Sequence, residues 1–218
     1  MMFPRLLAAF LHVLWPVSCP VCGRLGEALC AECAASLFAP PLPRCLRCGE
    51  LFPCSRHPGA PRIRSASPYN EKIKSVILPL KYGGLRAVGP RLGAAMAALW
   101  ERPEVDLLLP VPLHRGSWRG YNQAFEIARG LGQAWDIEAA DDARWSRRLP
   151  RRAGLSQEER RALRPDAFSV PGKLKGLRVA LVDDICTTGA TLTRLAAACE
   201  SAGVSVVGAY TAANTVEK

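Results

Sequence analysis

Apolar residues in this chain fall into short unbroken runs separated by longer stretches of helical period. Asp106 to Val111, Val179 to Val182 and Val204 to Tyr210 carry few polar interruptions, a pattern that predicts strands buried on both faces. Ile137 to Ala139 and the region near Phe168 predict weaker strands. Tyr69 to Leu80 predicts a strand end leading into a helix, which Lys81-Tyr82-Gly83-Gly84 breaks. Leu85 to Glu101 predicts a helix with a face of small residues. A further helix should run from Arg119-Gly-Tyr-Asn-Gln123 to about Trp135, and another from Leu192 to Ala202. Strands alternating with helices predict an α/β fold with a doubly wound parallel sheet. Pro58 to Pro68, rich in Pro, Arg and Ser, predicts a linker. The chain then divides into a small N-terminal module over 1–57, a linker over 58–68 and the main domain over 69–218.

The 218 residues accommodate one α/β domain and a small appendage, and 49% hydrophobic with 22% charged residues excludes a globally disordered chain. Net charge is +10, which suits an anionic partner. The charge is uneven: Arg144 to Arg164 holds eight arginines against Glu158 and Glu159. A solvated basic segment and a nucleic-acid surface both fit that cluster.

Seven of the nine cysteines lie between Cys19 and Cys54. Cys19-x-x-Cys22, Cys30-x-x-Cys33 and Cys45-x-x-Cys48 are three knuckles, and Cys54-x-x-His57 follows. Each knuckle converges two thiolates on one tetrahedral cation, so two pairs close a structural zinc site. Cys19, Cys22, Cys30 and Cys33 form one predicted site. Cys45, Cys48, Cys54 and His57 form a second, of Cys3His type. Disulfides are the alternative, but repeated Cys-x-x-Cys favours metal. So short a segment, poor in large apolar residues, needs the ion to fold. Cys186 and Cys199 read as structural.

The densest chemistry is Val179-Ala-Leu-Val-Asp-Asp-Ile-Cys-Thr-Thr-Gly-Ala-Thr191. A buried strand ends in two adjacent carboxylates, a small hydroxyl-rich turn follows, and a helix begins. In open α/β sheets ligands bind at the carboxyl ends of strands. The turn lies at the positive end of the next helix, a place that suits phosphate. Adjacent carboxylates repel unless a cation or hydroxyl partner is present. Together these features predict a phosphorylated sugar, with the acids on its hydroxyls and a Mg2+ nearby. A nucleotidase of P-loop type is excluded, because no Gly-x-x-x-x-Gly-Lys-[Ser/Thr] loop occurs.

This segment resembles the ribose-phosphate signature of type I phosphoribosyltransferases. The resemblance implies that Asp183 and Asp184 hold the 2- and 3-hydroxyls of phosphoribosyl pyrophosphate. It further implies that Thr187, Thr188, Gly189, Ala190 and Thr191 hold the 5-phosphate. The family's reaction displaces pyrophosphate from C1 through an oxocarbenium-like transition state, with metal stabilising the leaving group. Zinc knuckles, Lys81-Tyr-Gly-Gly, Val111-Pro-Leu-His-Arg115, Arg119-Gly-Tyr-Asn-Gln123 and the acid–threonine segment occur here in the order seen in the ComF/GntX family. From about Leu14 onward the chain is similar to that family. The expected architecture is therefore a type I phosphoribosyltransferase-like sheet with an N-terminal double zinc-ribbon-like module.

By the same resemblance the loop from Pro112 to Gln123 covers the pyrophosphate side, with His114, Arg115 and Arg119 as anion contacts. Asn122 and Gln123 are polar supports. Lys81 is a substrate-binding candidate, and a solvated turn lysine is the equal alternative. The family's Thr-x-x-Gln pair before Gly154-Leu-Ser156 is replaced by Leu149 and Arg152, and its Asn by Leu163. Arg151 and Arg152 then become candidate pyrophosphate contacts. Two functions follow. One is a Mg2+-dependent glycosyltransferase that passes phosphoribose to an unidentified acceptor and releases pyrophosphate. The other is a non-catalytic competence protein that handles single-stranded DNA during DNA uptake, its pocket sensing phosphoribosyl pyrophosphate beside other competence machinery. Leu6 to Trp15 predicts a short amphipathic helix; no stretch reaches the ~20 apolar residues of a membrane span, and the chain reads as cytoplasmic.

Overall fold

A computed structural model describes residues 17–114, 116–146 and 167–215. The predicted helix Leu6 to Trp15, Arg115, and most of the arginine-rich segment with Leu149, Arg151, Arg152 and Leu163 lie outside them.

In chain order the strands are β1 (Arg44–Cys45), β2 (Arg62–Pro68), β3 (Leu107–Pro110), β4 (Glu138–Ala139), β5 (Arg144–Trp145), β6 (Phe168–Ser169), β7 (Arg178–Cys186) and β8 (Ser205–Asn214). The helices are α1 (Ala31–Leu37), α2 (Glu71–Tyr82), α3 (Val88–Ala97), α4 (Gln123–Trp135) and α5 (Ala190–Ser201). Six strands form one sheet in the order β1-β2-β8-β7-β3-β4, and β5 and β6 pair separately. Every neighbour pair in the large sheet is parallel except β1 with β2. The predicted parallel sheet is present, with one antiparallel edge.

The apolar runs explain the layers. Side chains alternate across a strand, so Leu108, Ala180 and Val182 face one side with Ile127, Leu131 and Val88. Leu107, Leu109, Val179 and Leu181 face the other with Leu192 and Leu195 of α5. Helices on both faces leave no polar side to these strands, hence their near-continuous hydrophobicity.

The expected linker over 58–68 is corrected. Arg62–Pro68 is β2, paired in parallel with β8 from Arg62↔Gly208 to Pro68↔Asn214. Its polar residues are buried yet satisfied: Ser65 Oγ and Thr211 Oγ1 lie 2.7 Å apart across the pair. The cysteine-rich segment is joined to the main sheet, since β1 pairs with β2 as Arg44↔Ile63 and Cys45↔Arg62. Its first quartet packs into the core of one sheet face through Cys19, Cys30, Cys33, Leu29 and Leu37. Leu46, from the second, packs into the other.

The predicted helix over Leu85 to Glu101 is shorter, Val88–Ala97. The helix predicted to stop before Lys81 continues to Tyr82, where the Gly83 N–H closes it on the Pro79 carbonyl. That extra turn places Lys81 in the last turn of α2, which matters for the site.

Candidate phosphoribosyl site and zinc centres

The chain leaves β3 for β4 on one side and returns to β7 on the other, so β3 and β7 part at a topological switch point. Ligands of open α/β sheets bind in the crevice at such a point. Pro110 pairs with Val182, and the Val111 N–H donates to the Val182 carbonyl at 2.8 Å. Asp183 and Asp184 come next on β7 and therefore stand in that crevice.

The two acids are not equivalent. Asp184 is 4% exposed, and its Oδ2 lies 2.9 Å from the Lys81 ammonium. That contact is an ion pair without hydrogen-bond alignment, because Oδ2 is otherwise a buried oxygen lacking a hydrogen-bond partner. Asp183 is partly exposed, and its Oδ1 accepts the Asp184 N–H at 2.8 Å. Burial, and then the charge of Asp184, hold the Asp183 carboxyl well above the usual carboxylate range; Lys81 opposes this. A carboxylate so placed gains from hydroxyl donors or a cation.

Beyond the acids β7 ends at Cys186 and α5 begins at Ala190. Gly189 caps the helix at φ 78°, in the left-handed region that glycine adopts without a Cβ penalty. The Thr188 hydroxyl accepts the Ala190 N–H at 3.3 Å. Thr187 and Thr188 are exposed, and Ala190 and Thr191 are half-buried. Hydroxyls and the first-turn N–H groups of α5, which have no intrahelical partners, thus gather at one rim of the crevice. Burial pushes the Cys186 thiol up to about 11, so it is no nucleophile at neutral pH.

Among the expected cations within the described residues, Lys81 pairs with the acids. Arg119 is held elsewhere: its guanidinium lies over the Tyr82 ring at 5.2 Å and donates to Gln123 Oε1 at 2.7 Å. Both contacts keep it at the end of α2 that carries Lys81. The His114 ring meets Trp145 edge-on at 5.4 Å, and Trp145 Nε1 donates to the Pro112 carbonyl at 2.9 Å. Asn122, a predicted polar support, is buried; it accepts the Ala124 N–H and donates to the Val111 carbonyl and Asp141.

The cysteine quartets suit tetrahedral metal. In each group the four candidate ligand atoms lie within 4.8 Å of one another. Cys22 and Cys30 Sγ are 3.7 Å apart, Cys48 and Cys54 Sγ 3.6 Å, and His57 Nδ1 is 3.8 Å from Cys45 and 3.7 Å from Cys54. Zn–S bonds of ~2.3 Å at the tetrahedral angle require edges of about 3.8 Å, whereas a disulfide needs ~2.05 Å. Burial opposes the Cys19 thiolate, yet the Cys30, Cys22 and Val21 N–H groups outweigh it and lower the thiol to about 6. Cys54 falls to about 6 against burial because His57 and Cys48 hydrogen-bond to it. The thiolates that zinc requires are therefore prepared by the fold.

Known proteins agree with both halves. The double zinc ribbon domain family matches residues 10–62, and the phosphoribosyl transferase domain family matches residues 120–218. The chain is 29% identical over 194 residues to DNA utilization protein YhgH of Salmonella typhimurium, covering 82% of each. It is 34% identical over 108 residues to Competence protein F of Haemophilus influenzae, covering 47% of each. The chain belongs to the ComF-like family.

A structure titled as the allosteric regulatory enzyme of purine biosynthesis aligns with 57% of this ComF-like chain at 25% identity and a TM-score of 0.40. The alignment covers 26% of that enzyme. The zinc of this ComF-like protein is structural, a double ribbon closed by its cysteine quartets. Sequence reasoning missed two residues beside the site. Asp141 holds Asn122 in place, and burial raises its carboxyl. Gly49 of the second ribbon knuckle touches the threonine turn. Neither carries a local signal, because each is brought there by the tertiary fold.

Proposed function

We propose that this ComF-like protein binds phosphoribosyl pyrophosphate with Mg2+ at the carboxyl end of β7 and transfers the phosphoribosyl group to an acceptor nucleophile. The observation that carries the reading is the acid pair at the switch point, with Lys81 on one side and the threonine turn on the other. Asp183 and Asp184 accept hydrogen bonds from the ribose hydroxyls. Residues Thr187 to Thr191 hold the 5-phosphate, and their fixed N–H groups orient the sugar. Lys81 limits the repulsion between the acids, and Arg119 and His114 lie on the pyrophosphate side. In the transfer the C1–oxygen bond to pyrophosphate breaks, a bond from C1 to the nucleophile forms, and the nucleophile's proton is lost. Mg2+, when bound, neutralises charge developing on the departing pyrophosphate.

A second reading is supported by the net charge of +10 and by the printed names of the relatives, DNA utilization protein and Competence protein F. In it the same pocket senses phosphoribosyl pyrophosphate without turnover, while the basic surface handles single-stranded DNA. Pyrophosphate release separates the two. The transferase releases it from phosphoribosyl pyrophosphate and Mg2+ when an acceptor mixture is supplied, and Asp183→Asn does not. Tight binding with no release under any acceptor condition supports the sensor.

A further inference from the structure

The two ribbon sites carry the same turn in different surroundings. In the first, the Gly23 N–H donates to the Cys19 carbonyl at 2.8 Å with φ 76°; in the second, the Gly49 N–H donates to the Cys45 carbonyl at 2.8 Å with φ 78°. A Cβ added at Gly23 would meet nothing within 4 Å. At Gly49 it would fall under 3.0 Å from the Thr188 carbonyl oxygen, a separation real Cβ atoms do not show. A Cβ at Gly189 would in turn lie 3.5 Å from Gly49 Cα and 3.1 Å from Ile63 Cδ1. The second knuckle is thus in backbone contact with the threonine turn.

Its neighbours hold it there. Arg44 Nη1 donates to the Gly49 carbonyl at 3.0 Å. Leu46 is buried in the core that contains Ile63, Leu192 and Leu195. Arg47 pairs with Glu200 near the far end of α5 at 2.6 Å. The knuckle therefore braces the turn and the helix that follows it, and the knuckle's own shape depends on Cys45, Cys48, Cys54 and His57 closing on their metal.

We propose that Gly49 is a positioning residue for the phosphate-holding turn, so that the second zinc site, and not the first, sets the placement of Thr188 and Gly189 and with it the affinity for the sugar phosphate. The inference rests on the reading of Thr187 to Thr191 as the phosphate turn. A structural zinc becomes part of the binding site without touching the ligand. Displacing a positioned group by about 1 Å costs up to ~100-fold in enzymes.

Gly23→Ala and Gly49→Ala form a matched pair, because both force alanine into the same left-handed turn and only the second meets the phosphate turn. Both variants and the wild type, as full chains with zinc content measured, are titrated with phosphoribosyl pyrophosphate and Mg2+. Amide hydrogen exchange of the peptide spanning the threonine turn is followed in the same proteins without ligand. The expected result is about tenfold or greater weakening and faster exchange at Thr188 to Thr191 in Gly49→Ala, with neither change in Gly23→Ala. Equal effects in the two variants, or none in Gly49→Ala, overturn the proposal. If Gly49→Ala loses its metal, Cys54→Ser and Cys22→Ser replace the pair, and turn exchange must rise in the first alone. Should wild type not bind the ligand, the proposed function fails, while the exchange comparison still decides the coupling.

Discussion

Replacing Lys81 with methionine tests the electrostatic design of the acid pair. The substitution keeps an apolar stem and removes the ammonium that lies 2.9 Å from Asp184. The two side chains are 16% and 6% exposed, so the pair is largely shielded from solvent. Removing one partner of a buried pair costs about 3–5 kcal/mol, chiefly because the other charge is left without compensation. Lys81 keeps some contact with water and is not aligned for a hydrogen bond, so we expect about 2–4 kcal/mol. Chemical denaturation of Lys81→Met, Asp184→Asn and the double variant measures this loss and the coupling between the sites. Asp184→Asn removes the orphaned charge, so the double variant should recover at least about 1 kcal/mol over the sum of the single losses. A loss under about 0.5 kcal/mol in Lys81→Met, or strict additivity, would refute the reasoning.

The raised carboxyl of Asp183 has a sign that can be checked. A group whose folded pKa lies above its unfolded value destabilises the fold as pH rises from the unfolded value through the folded one. Asp183→Asn should therefore be the more stable protein at pH 8, and the difference should vanish near pH 3, by thermal melts of both. If binding needs both acids ionised, wild-type affinity for phosphoribosyl pyrophosphate and Mg2+ should increase from pH 5.5 to 8.5; an affinity that falls over this range contradicts the assignment. Prolonged chelation should unfold the ribbon and expose the hydrophobic core it shares with the sheet, seen as loss of near-ultraviolet circular dichroism together with released zinc. Leu181→Ala, in the centre of β7 and fully buried, should cost about 2–5 kcal/mol in denaturant titration.

Much of the frame was visible in the chain itself. Leu107–Pro110 and Val179–Val182 announce buried strands because both faces must be apolar, and the cysteine spacing announces tetrahedral metal because each knuckle already holds two ligands. The acid–threonine segment is legible for the same reason: strand, acids, turn and helix are contiguous. What could not be read is what the fold assembles from afar. Arg62–Pro68 looks like a linker since its prolines, arginines and serines are surface residues elsewhere, yet Ser65 is accommodated by Thr211 of β8. Lys81 looks like a turn lysine until α2 gains one more turn and carries it to Asp184. Gly49 looks like an ordinary knuckle glycine, indistinguishable from Gly23 until the sheet brings Thr188 against it.

The central claim is that Asp183, Asp184 and the threonine turn form a phosphoribosyl pyrophosphate site. Isothermal titration with phosphoribosyl pyrophosphate and Mg2+ tests it most directly, on wild type and on Asp183→Asn, which keeps the Lys81–Asp184 pair and hence the local fold. The account predicts saturable one-to-one binding in wild type and its loss in Asp183→Asn at undiminished thermal stability. Absence of binding in zinc-loaded wild type, or equal binding in the variant, would contradict it.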